Sequence, residues 1–339
     1  MKIAFFDSKS YDIESFNKYD IHSDFKFFDT RLSKDTVYLA SGYDAVCVFV
    51  NDVVDKEVID KLVEYGIELI LLRCAGYNNV DIEYCYNKIH VFRVPAYSPY
   101  AVAEFATSLL LTLIRKTHKA YIRTRNFNFS LEGLQGFDLK GKTVGVIGTG
   151  KIGKAFIDIL KGFKCNVLAY DVYKSEGINY ASLDDIYKNS DIISLHCPLT
   201  KETYHMIDSK AIEKMEKKPI IINTSRGGII NAPDLLNGLK EKKLSGACLD
   251  VYEEESSIFF KDYSSEIMDD DIIQGLINMP NVIVTSHQAY LTKEALDNIA
   301  SITIENCNSY FDQGYGENEL CYRCEKVDDC KSERKTKCF

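Results

Sequence analysis

The most constraining feature of the chain is a glycine-rich segment at residues 143–153, which reads Thr-Val-Gly-Val-Ile-Gly-Thr-Gly-Lys-Ile-Gly. Gly148, Gly150 and Gly153 have the spacing G-x-G-x-x-G, between an apolar run and an amphipathic segment of helical length. Such glycines permit a tight turn, let a pyrophosphate approach the backbone, and let a helix pack closely on a strand. Asp171 ends the next apolar run, where its carboxylate would bind a ribose hydroxyl and repel a 2′-phosphate. The segment therefore predicts a dinucleotide-binding fold that prefers NAD to NADP.

Apolar runs rich in β-branched residues alternate with longer amphipathic segments. Strands are predicted at 2–6, 45–50, 68–73, 143–147, 166–170, 191–195, 219–223 and 281–285, with a further strand around Cys248. Helices are predicted at 56–65, 101–115, 151–163, 183–188, 233–241 and 293–311. Near-continuously apolar strands separated by helices are typical of parallel sheets covered on both faces. We therefore expect an α/β fold.

The length of 339 residues suggests two domains, at roughly 150 residues per domain. Pro95 and Pro99 interrupt regular structure after the first α/β run, and a second run then extends to about His287. The last long helix is expected to return the chain to the first unit. The segment from about 314 onward is polar and charged, and is predicted to be a tail.

Charge and composition exclude several classes of protein. Lys and Arg total 41 against 50 Asp and Glu, a net charge of −9, and an acidic surface disfavours general binding to nucleic acid or to anionic membranes. No apolar run approaches the roughly 20 residues of a membrane span, and the start, MKIAFFDSKSYD, does not resemble a signal peptide. The 11 cysteines, an odd number without a secretory signal, indicate reduced thiols. The expected location is the cytoplasm.

Three strand ends in the second run carry groups suited to hydride transfer to a 2-oxo acid. Arg226 follows one strand, the acids at 253–255 follow the next, and His287 follows the last. The carboxyl ends of parallel strands share one edge, where ligands bind. Arg can bind a substrate carboxylate, His can deliver a proton, and an acid can keep that His protonated. The alternative is that Arg226 and the acids are solvated loop charges and His287 is a partly buried structural residue.

The motifs resemble those of the D-isomer-specific 2-hydroxyacid dehydrogenases, and most closely the branch of bacterial fermentative D-lactate dehydrogenases. The resemblance covers about residues 1–320. It is carried by LRCAGYNNVD at 72–81, VPAYSP at 94–99, NFSLEGLQGF at 128–137, GVIGTGKIG at 145–153, SLHCPLT at 194–200, NTSRGG at 223–228, DVYEEE at 250–255 and NVIVTSHQA at 281–289. It implies a Rossmann-type NAD-binding domain at 100–297, inserted into a flavodoxin-like substrate domain formed by 1–99 and 298–339.

The resemblance also implies roles for individual residues. Arg226 would bind the substrate carboxylate and polarise the carbonyl, His287 would donate the proton, and Glu255 would keep His287 protonated. Glu253 and Glu254 compete with Glu255 by spacing. The substrate-binding residues would be Ala75, Gly76 and Tyr97. The cofactor-binding residues would be Gly148, Gly150, Lys151, Ile152, Gly153, Asp171, Cys197, Pro198, Thr203, Thr224, Ser225 and Asp250. No metal is implied.

The implied reaction is the reversible, NADH-dependent reduction of pyruvate to D-lactate. One alternative is a related enzyme for a larger, branched or aromatic 2-oxo acid. Another is a nucleotide-sensing binding module, like the transcriptional corepressors of the family. The sequence does not decide the substrate, the preferred direction in the cell or cooperativity. The family implies a homodimer or a homotetramer, built through segments such as 101–115 and 119–136.

Four cysteines lie near the end of the chain: Cys321, Cys324, Cys330 and Cys338. Cys321 and Cys324 have the spacing of half a zinc site, but no second C-x-x-C follows. We expect a mobile extension with exposed, free cysteines. A structural zinc site and a redox-sensitive tail are the alternatives.

Overall fold

The computed structural model describes residues 1–19 and 24–322. The chain forms two compact units, one from Met1–Ser98 together with the segment that begins at Leu291, the other from Pro99–Tyr290. The chain returns from the second unit to the first between Tyr290 and Leu291, before the predicted boundary at 297/298. That predicted boundary lies inside the helix Lys293–Gln313.

The strands are β1 (Lys2–Phe5), β2 (Asp24–Phe27), β3 (Ala45–Val48), β4 (Leu69–Leu72), β5 (His90–Arg93), β6 (Thr143–Ile147), β7 (Asn166–Tyr170), β8 (Ile192–Leu195), β9 (Ile220–Asn223), β10 (Gly246–Leu249), β11 (Val282–Val284) and β12 (Glu319–Leu320). Each strand predicted with a range is confirmed to within two residues at either end. Those without a predicted range are β2, β5, β10 and β12.

The helices are α1 (Ser10–Phe16), α2 (Lys56–Glu64), α3 (Ile82–Cys85), α4 (Pro99–Arg115), α5 (Thr117–Arg125), α6 (Lys151–Gly162), α7 (Leu183–Asn189), α8 (Ser209–Glu213), α9 (Ala232–Lys240), α10 (Glu255–Ile258), α11 (Asp271–Ile277) and α12 (Lys293–Gln313). Short 3₁₀ turns occur at Val37–Ala40 and Gly227–Ile229. All six predicted helices are confirmed to within two residues. None of these helices is both long and apolar enough to cross a membrane.

The first unit is built on one sheet with the order β2-β1-β3-β4-β5-β12. Its first five strands are parallel and have the 2-1-3-4-5 order of flavodoxin-like folds, as expected. Apolar side chains of α1 and α12, including Phe16 and Ile304, pack on Phe5 and Leu71 of the sheet.

The end of the first unit differs from the expected tail. β12 pairs antiparallel with β5 at the edge of the sheet, and Glu319 is buried there beside His90. Cys321 is also buried, at 6% exposure, so the prediction of an exposed thiol is wrong at this position. A two-residue strand has too little apolar pattern to be read from the sequence. The predictions for Cys324, Cys330 and Cys338 lie outside the described residues.

The second unit holds an all-parallel sheet with the order β7-β6-β8-β9-β10-β11. A single bridge between Ala169 and Tyr180 lies beside β7, in the place of a further short strand. Counting that bridge, the order begins 3-2-1-4-5-6, which is the Rossmann order. The sheet is covered on both faces, by α4 and α6 on one side and by α8, α9 and α11 on the other. The strand order reverses at β6, where the glycine-rich turn lies.

Candidate active site

The glycine-rich turn joins β6 to α6, and its three glycines serve different purposes. Gly148 has a φ of +95°, and a Cβ there would collide with the backbone of His196 and Cys197. A Cβ on Gly153 would collide with the carbonyl oxygen of Gly148, so this glycine allows the helix to pack on the turn. Gly150 faces open space.

The start of α6 completes a cradle for an anion. Gly150 is the N-cap, so the amides of Lys151 and Ile152 belong to the first turn, whose N–H groups lack partners within the helix. These N–H groups carry partial positive charge, and a glycine that faces open space admits a phosphate to the backbone. The turn therefore fits the pyrophosphate of a dinucleotide.

Asp171 lies directly after β7 and is held against the same turn. Its Oδ2 accepts hydrogen bonds from the backbone N–H of Thr149 at 2.5 Å and from the Thr149 hydroxyl at 3.1 Å. Its Oδ1 accepts from the N–H of Tyr173 at 2.9 Å. Burial acts to raise the pKa of Asp171, but these hydrogen bonds outweigh it and lower the pKa below the usual range. A charged carboxylate thus stands at the end of β7, where a ribose is expected.

Arg226 follows β9 in a turn closed by Asn223. The Asn223 amide donates to the Arg226 carbonyl at 2.9 Å and accepts from the N–H of Ser225 at 3.0 Å. The half-buried guanidinium donates to the Ser225 carbonyl at 2.7 Å. In the described part of the chain, no carboxylate forms an ion pair with it, and the nearby Glu253 and Glu255 contact histidines instead. The guanidinium is therefore available to an anionic ligand.

Thr224, beside Arg226, has a buried hydroxyl without a hydrogen-bond partner among the described residues. Its residue exposure is 8%. A buried hydroxyl of this kind is costly unless it is paired. The Thr224 hydroxyl is therefore suited to bind a polar group of a cofactor. Its place directly after β9, at the carboxyl end of the parallel sheet, is also suited to a ligand site.

His287 follows β11 and contacts one of the three candidate acids. Its Nδ1 donates to Glu255 Oε1 at 2.8 Å, while Glu255 Oε2 accepts from the N–H of Tyr252 at 2.9 Å. Both side chains are mostly shielded, at 16% and 19% exposure. Glu255 is thus the acid beside His287, and the imidazole Nε2 makes no hydrogen bond to a described residue.

Asp250 organises the loop that carries His287. Its Oδ1 accepts from the Thr285 hydroxyl at 2.6 Å and the Gln288 N–H at 2.9 Å, and its Oδ2 accepts from the Ala289 N–H at 2.8 Å. Its carbonyl accepts from the N–H of His287, whose φ is +54°. The structure thus directs this carboxylate, predicted to bind cofactor, to the loop of His287.

The other residues predicted to bind cofactor surround the Arg226 turn. Ser225 Oγ donates to the Cys197 carbonyl at 2.5 Å. Thr203 Oγ1 donates to the Pro198 carbonyl at 2.7 Å. The first contact joins the loop after β8 to the turn after β9, and the second lies within the loop after β8.

The three predicted substrate-binding residues lie in the first unit. Arg93 donates to the Ala75 carbonyl at 3.0 Å, and the Cys74 thiol donates to the Gly76 carbonyl at 3.2 Å. Asn298 donates to the Tyr97 carbonyl at 2.8 Å. These contacts fix the loops after β4 and β5 through their carbonyl groups.

Two further histidines, His196 and His205, follow β8. Burial lowers the pKa of His196 to about 4, so its imidazole, which contacts Ser194 Oγ, is neutral at pH 7. His205 contacts Glu253, and no motif or spacing in the sequence indicates that pair. Within residues 1–19 and 24–322, no group of three or more His, Cys, Asp or Glu is placed to hold a metal ion.

Comparison with known proteins identifies relatives along most of the chain. A family described as "D-isomer specific 2-hydroxyacid dehydrogenase, NAD binding domain" matches residues 107–289. A 2-hydroxyacid dehydrogenase homolog of Haemophilus influenzae is 49% identical over 316 residues, 90% of this chain and 95% of the relative. The D-lactate dehydrogenase of Escherichia coli is 45% identical over 317 residues, 91% of this chain and 96% of the relative.

Solved structures agree with these matches. The apo-structure of D-lactate dehydrogenase from Escherichia coli superposes with a TM-score of 0.86 at 43% identity, covering 94% of this chain and 100% of that one. A D-lactate dehydrogenase from Aquifex aeolicus, solved with NAD and lactic acid, gives a TM-score of 0.80 at 33% identity, covering 91% and 95%.

Proposed function

Because the chain belongs to the D-isomer-specific 2-hydroxyacid dehydrogenase family, an NAD-binding family of oxidoreductases, we propose that it reduces pyruvate reversibly to D-lactate. The observation that carries the proposal is the hydrogen-bonded pair of His287 and Glu255, at the same sheet edge as the available guanidinium of Arg226. The similarity to the Escherichia coli D-lactate dehydrogenase favours pyruvate as the substrate.

Binding of the cofactor is assigned to the second unit. The N–H groups of Lys151 and Ile152 would bind the pyrophosphate, and Asp171 the adenine ribose. Thr224, whose hydroxyl has no hydrogen-bond partner in the part of the chain that the structure describes, would line the nicotinamide half together with Cys197. The remaining proposed contacts are those of Pro198, Thr203, Ser225 and Asp250. When bound, NADH supplies the hydride that reduces the 2-oxo carbon.

Binding of the substrate is assigned to Arg226 and to the loops of the first unit. The guanidinium can form two parallel hydrogen bonds to a carboxylate and can also polarise the adjacent carbonyl. The backbone N–H groups of Ala75 and Gly76 would provide a second carboxylate contact, and the Tyr97 hydroxyl a further polar contact. The first unit would then serve as the substrate domain.

The proton is assigned to His287. Glu255 accepts from Nδ1, which fixes the orientation of the ring. The Nε2–H can then be donated to the carbonyl oxygen as negative charge develops there. In the oxidation of D-lactate, the same nitrogen accepts the hydroxyl proton.

A steady-state assay tests the proposal. NADH oxidation is followed with pyruvate and with branched and aromatic 2-oxo acids, and NAD reduction with D- and L-lactate. We expect the highest kcat/KM with pyruvate and turnover of D-lactate alone. A higher kcat/KM for a larger 2-oxo acid would change the substrate and keep the reaction. NADH binding without turnover of any 2-oxo acid would instead indicate a binding module.

We also infer a homo-oligomer, a dimer or a tetramer. No residue of α5 is buried, and the loop after it exposes Phe127, Phe129 and Leu131 at 85%, 72% and 81%. An apolar surface of this kind is typical of a subunit interface.

A further inference from the structure

A second histidine–glutamate pair lies in the same unit as the proposed acid–base pair. His205 Nε2 and Glu253 Oε1 are 2.5 Å apart, and both side chains are mostly shielded, at 26% and 19% exposure. The Tyr204 hydroxyl donates to the same carboxylate oxygen at 3.2 Å. The Tyr204 ring stacks on the imidazole with 3.9 Å between centroids. The contact with Glu253 and the stacked ring thus hold His205 in one orientation, and the Tyr204 hydroxyl holds Glu253.

The neighbouring Asn231 fixes which nitrogen of His205 carries the proton. Asn231 Oδ1 caps α9 by accepting from the N–H of Asp234, so its amide nitrogen faces His205 Nδ1 at 3.3 Å. Asn231 therefore donates to Nδ1, and Nε2 carries the hydrogen that is donated to Glu253. The result is a continuous hydrogen-bonded chain from Asn231 through His205 to Glu253.

This chain encloses the turn that carries Arg226. The backbone N–H of His205 donates to the Gly228 carbonyl at 2.9 Å, on one side of the turn. On the other side, a Cβ on Gly227 would collide with the backbone of Tyr252 and Glu253, which shows how closely these segments lie. Asn231 follows the turn directly. The turn is therefore held between the loop of His205 and the segment of Glu253.

The segment of Glu253 also carries Glu255, two residues later. The His205–Glu253 pair consequently links the turn of Arg226 to the segment that orients His287. Among the described residues, the Arg226 side chain donates a hydrogen bond to the carbonyl of Ser225 alone. The orientation of the Arg226 guanidinium therefore depends mainly on the position of the turn that carries it.

We propose that His205, Glu253 and Asn231 are positioning residues, which set the place of the Arg226 guanidinium for the substrate carboxylate. This proposal rests on the proposed function, because it concerns how the same site recognises a 2-oxo acid. Since the carboxylate is bound in the ground state and in the transition state alike, a misplaced guanidinium raises KM more than it lowers kcat.

Three variants test the contact, measured with pyruvate and NADH. Glu253→Ala removes the acceptor, whereas Glu253→Gln retains an oxygen that can accept from Nε2. His205→Asn shortens the side chain but suits the left-handed conformation of this residue, whose φ is +52°. Glu213→Gln is the matched control, since it removes a carboxylate from an exposed ion pair with Lys243 in the same unit.

We expect Glu253→Ala and His205→Asn to raise KM for pyruvate about tenfold, as for the loss of one hydrogen bond to a charged group. The KM for NADH and the pH dependence of kcat should remain those of the parent protein. Glu253→Gln should recover most of the parent KM, and Glu213→Gln should change nothing. Binding of oxamate to the protein with NADH should weaken in parallel with KM.

Four results would overturn the proposal. One is an unchanged KM for pyruvate in the two disrupting variants, and another is an equal loss of NADH and pyruvate binding, which indicates a general structural role. A shifted pH profile would mean that the pair acts on His287 instead. Failure of Glu253→Gln to recover KM would exclude the hydrogen bond as the cause. If Glu253→Ala does not fold, His205→Asn and Glu253→Gln decide. Failure of the parent protein to turn over any 2-oxo acid would be a separate result, against the proposed function itself.

Discussion

The three acids at 253–255 can be assigned to their partner residues only from the structure. By spacing alone, each could serve His287. In the fold, Glu255 is held by the N–H of Tyr252 and contacts His287, whereas Glu253 points to His205. Neighbouring acids of similar sequence context thus have separate partners.

Glu255→Ala should lower kcat for pyruvate reduction, by about tenfold or more. The variant removes the acceptor of the His287 Nδ1–H, so the imidazole loses the contact that holds it in one orientation. Steady-state rates with pyruvate and NADH check this expectation. Glu254→Ala is the matched control and should leave kcat unchanged. A loss of kcat caused by Glu254→Ala and not by Glu255→Ala would contradict the assignment.

Arg226→Lys should impair both substrate binding and turnover. Lysine keeps the positive charge but cannot form the planar, paired hydrogen bonds of a guanidinium. We expect KM for pyruvate to rise and kcat to fall, each by about tenfold or more. NADH binding, measured by fluorescence, should stay the same. An equal loss of NADH affinity would point to a folding defect or to a cofactor role for this arginine.

The helices and strands that can be predicted from the sequence are those whose buried face carries a regular pattern of apolar residues. β6, with the sequence TVGVI, is buried from Val144 onward, and its apolar run marks it clearly. β5, with the sequence HVFR, begins and ends in polar residues because His90 is paired with Glu319 and Arg93 bonds to a neighbouring loop. α5 buries no residue, so its sequence lacks the apolar stripe by which helices are found.

Residues of the predicted site can likewise be found from the sequence only where a regular pattern marks the element that carries them. Residues at strand ends after regular apolar runs, such as Arg226 and His287, can be found from the sequence because parallel strands end at one edge. The hydrogen bonds between Asp250 and the loop of His287 cannot be predicted from the sequence, because they depend on the three-dimensional path of residues 285–289. His205 lies in a loop without a regular apolar pattern, and its partner Glu253 is 48 residues away in the sequence. Their contact therefore cannot be predicted from the sequence.

The turn after β7 should make the protein prefer NADH to NADPH. Asp171 is held charged by the N–H groups of Thr149 and Tyr173, so it would repel a 2′-phosphate. Lys174 lies against the Tyr180 ring, 5.8 Å from its centroid, and offsets this repulsion only in part. We expect kcat/KM for NADH to exceed that for NADPH, and Asp171→Ser to reduce the ratio. A ratio near one in the parent protein would refute the role of Asp171.

β12 should contribute to the stability of the first unit through a buried hydrogen bond between two side chains. His90 Nδ1 donates to Glu319 Oε1 at 2.8 Å, and the two side chains are only 5% and 3% exposed. Glu319→Ala leaves the imidazole buried without this acceptor, and we expect a loss of about 2 kcal/mol in the free energy of unfolding. Thermal unfolding checks this expectation. Glu319→Gln, which can still accept the hydrogen bond, should lose less. Equal midpoints for Glu319→Ala and the parent protein would show that β12 adds no stability.

At the scale of the whole molecule, the described residues leave several large apolar side chains of the second unit exposed along one stretch of the chain. We call residues 117–137, which comprise α5 and the loop after it, the apolar arm. Arg123 donates to the carbonyl of Glu132 at 2.6 Å, and Lys116 donates to the carbonyl of Gly133 at 2.9 Å. The loop is therefore held in a defined shape although its large side chains face outward. A fixed apolar surface is costly to expose to water unless another surface covers it.

Charged substitutions in the apolar arm should therefore dissociate the protein into monomers. We expect the double variant Phe129→Asp and Leu131→Asp to elute with the mass of one 38.6 kDa chain in size-exclusion chromatography with light scattering, whereas the parent protein elutes as a dimer or a tetramer. The matched control is Ile267→Asp, which changes another highly exposed apolar side chain, at 90%, outside the arm. A buried apolar contact removed from both subunits is replaced by like charges that repel each other across a symmetric interface. A parent protein that is already monomeric, or a double variant that keeps the parent mass, would show that the arm is not the interface.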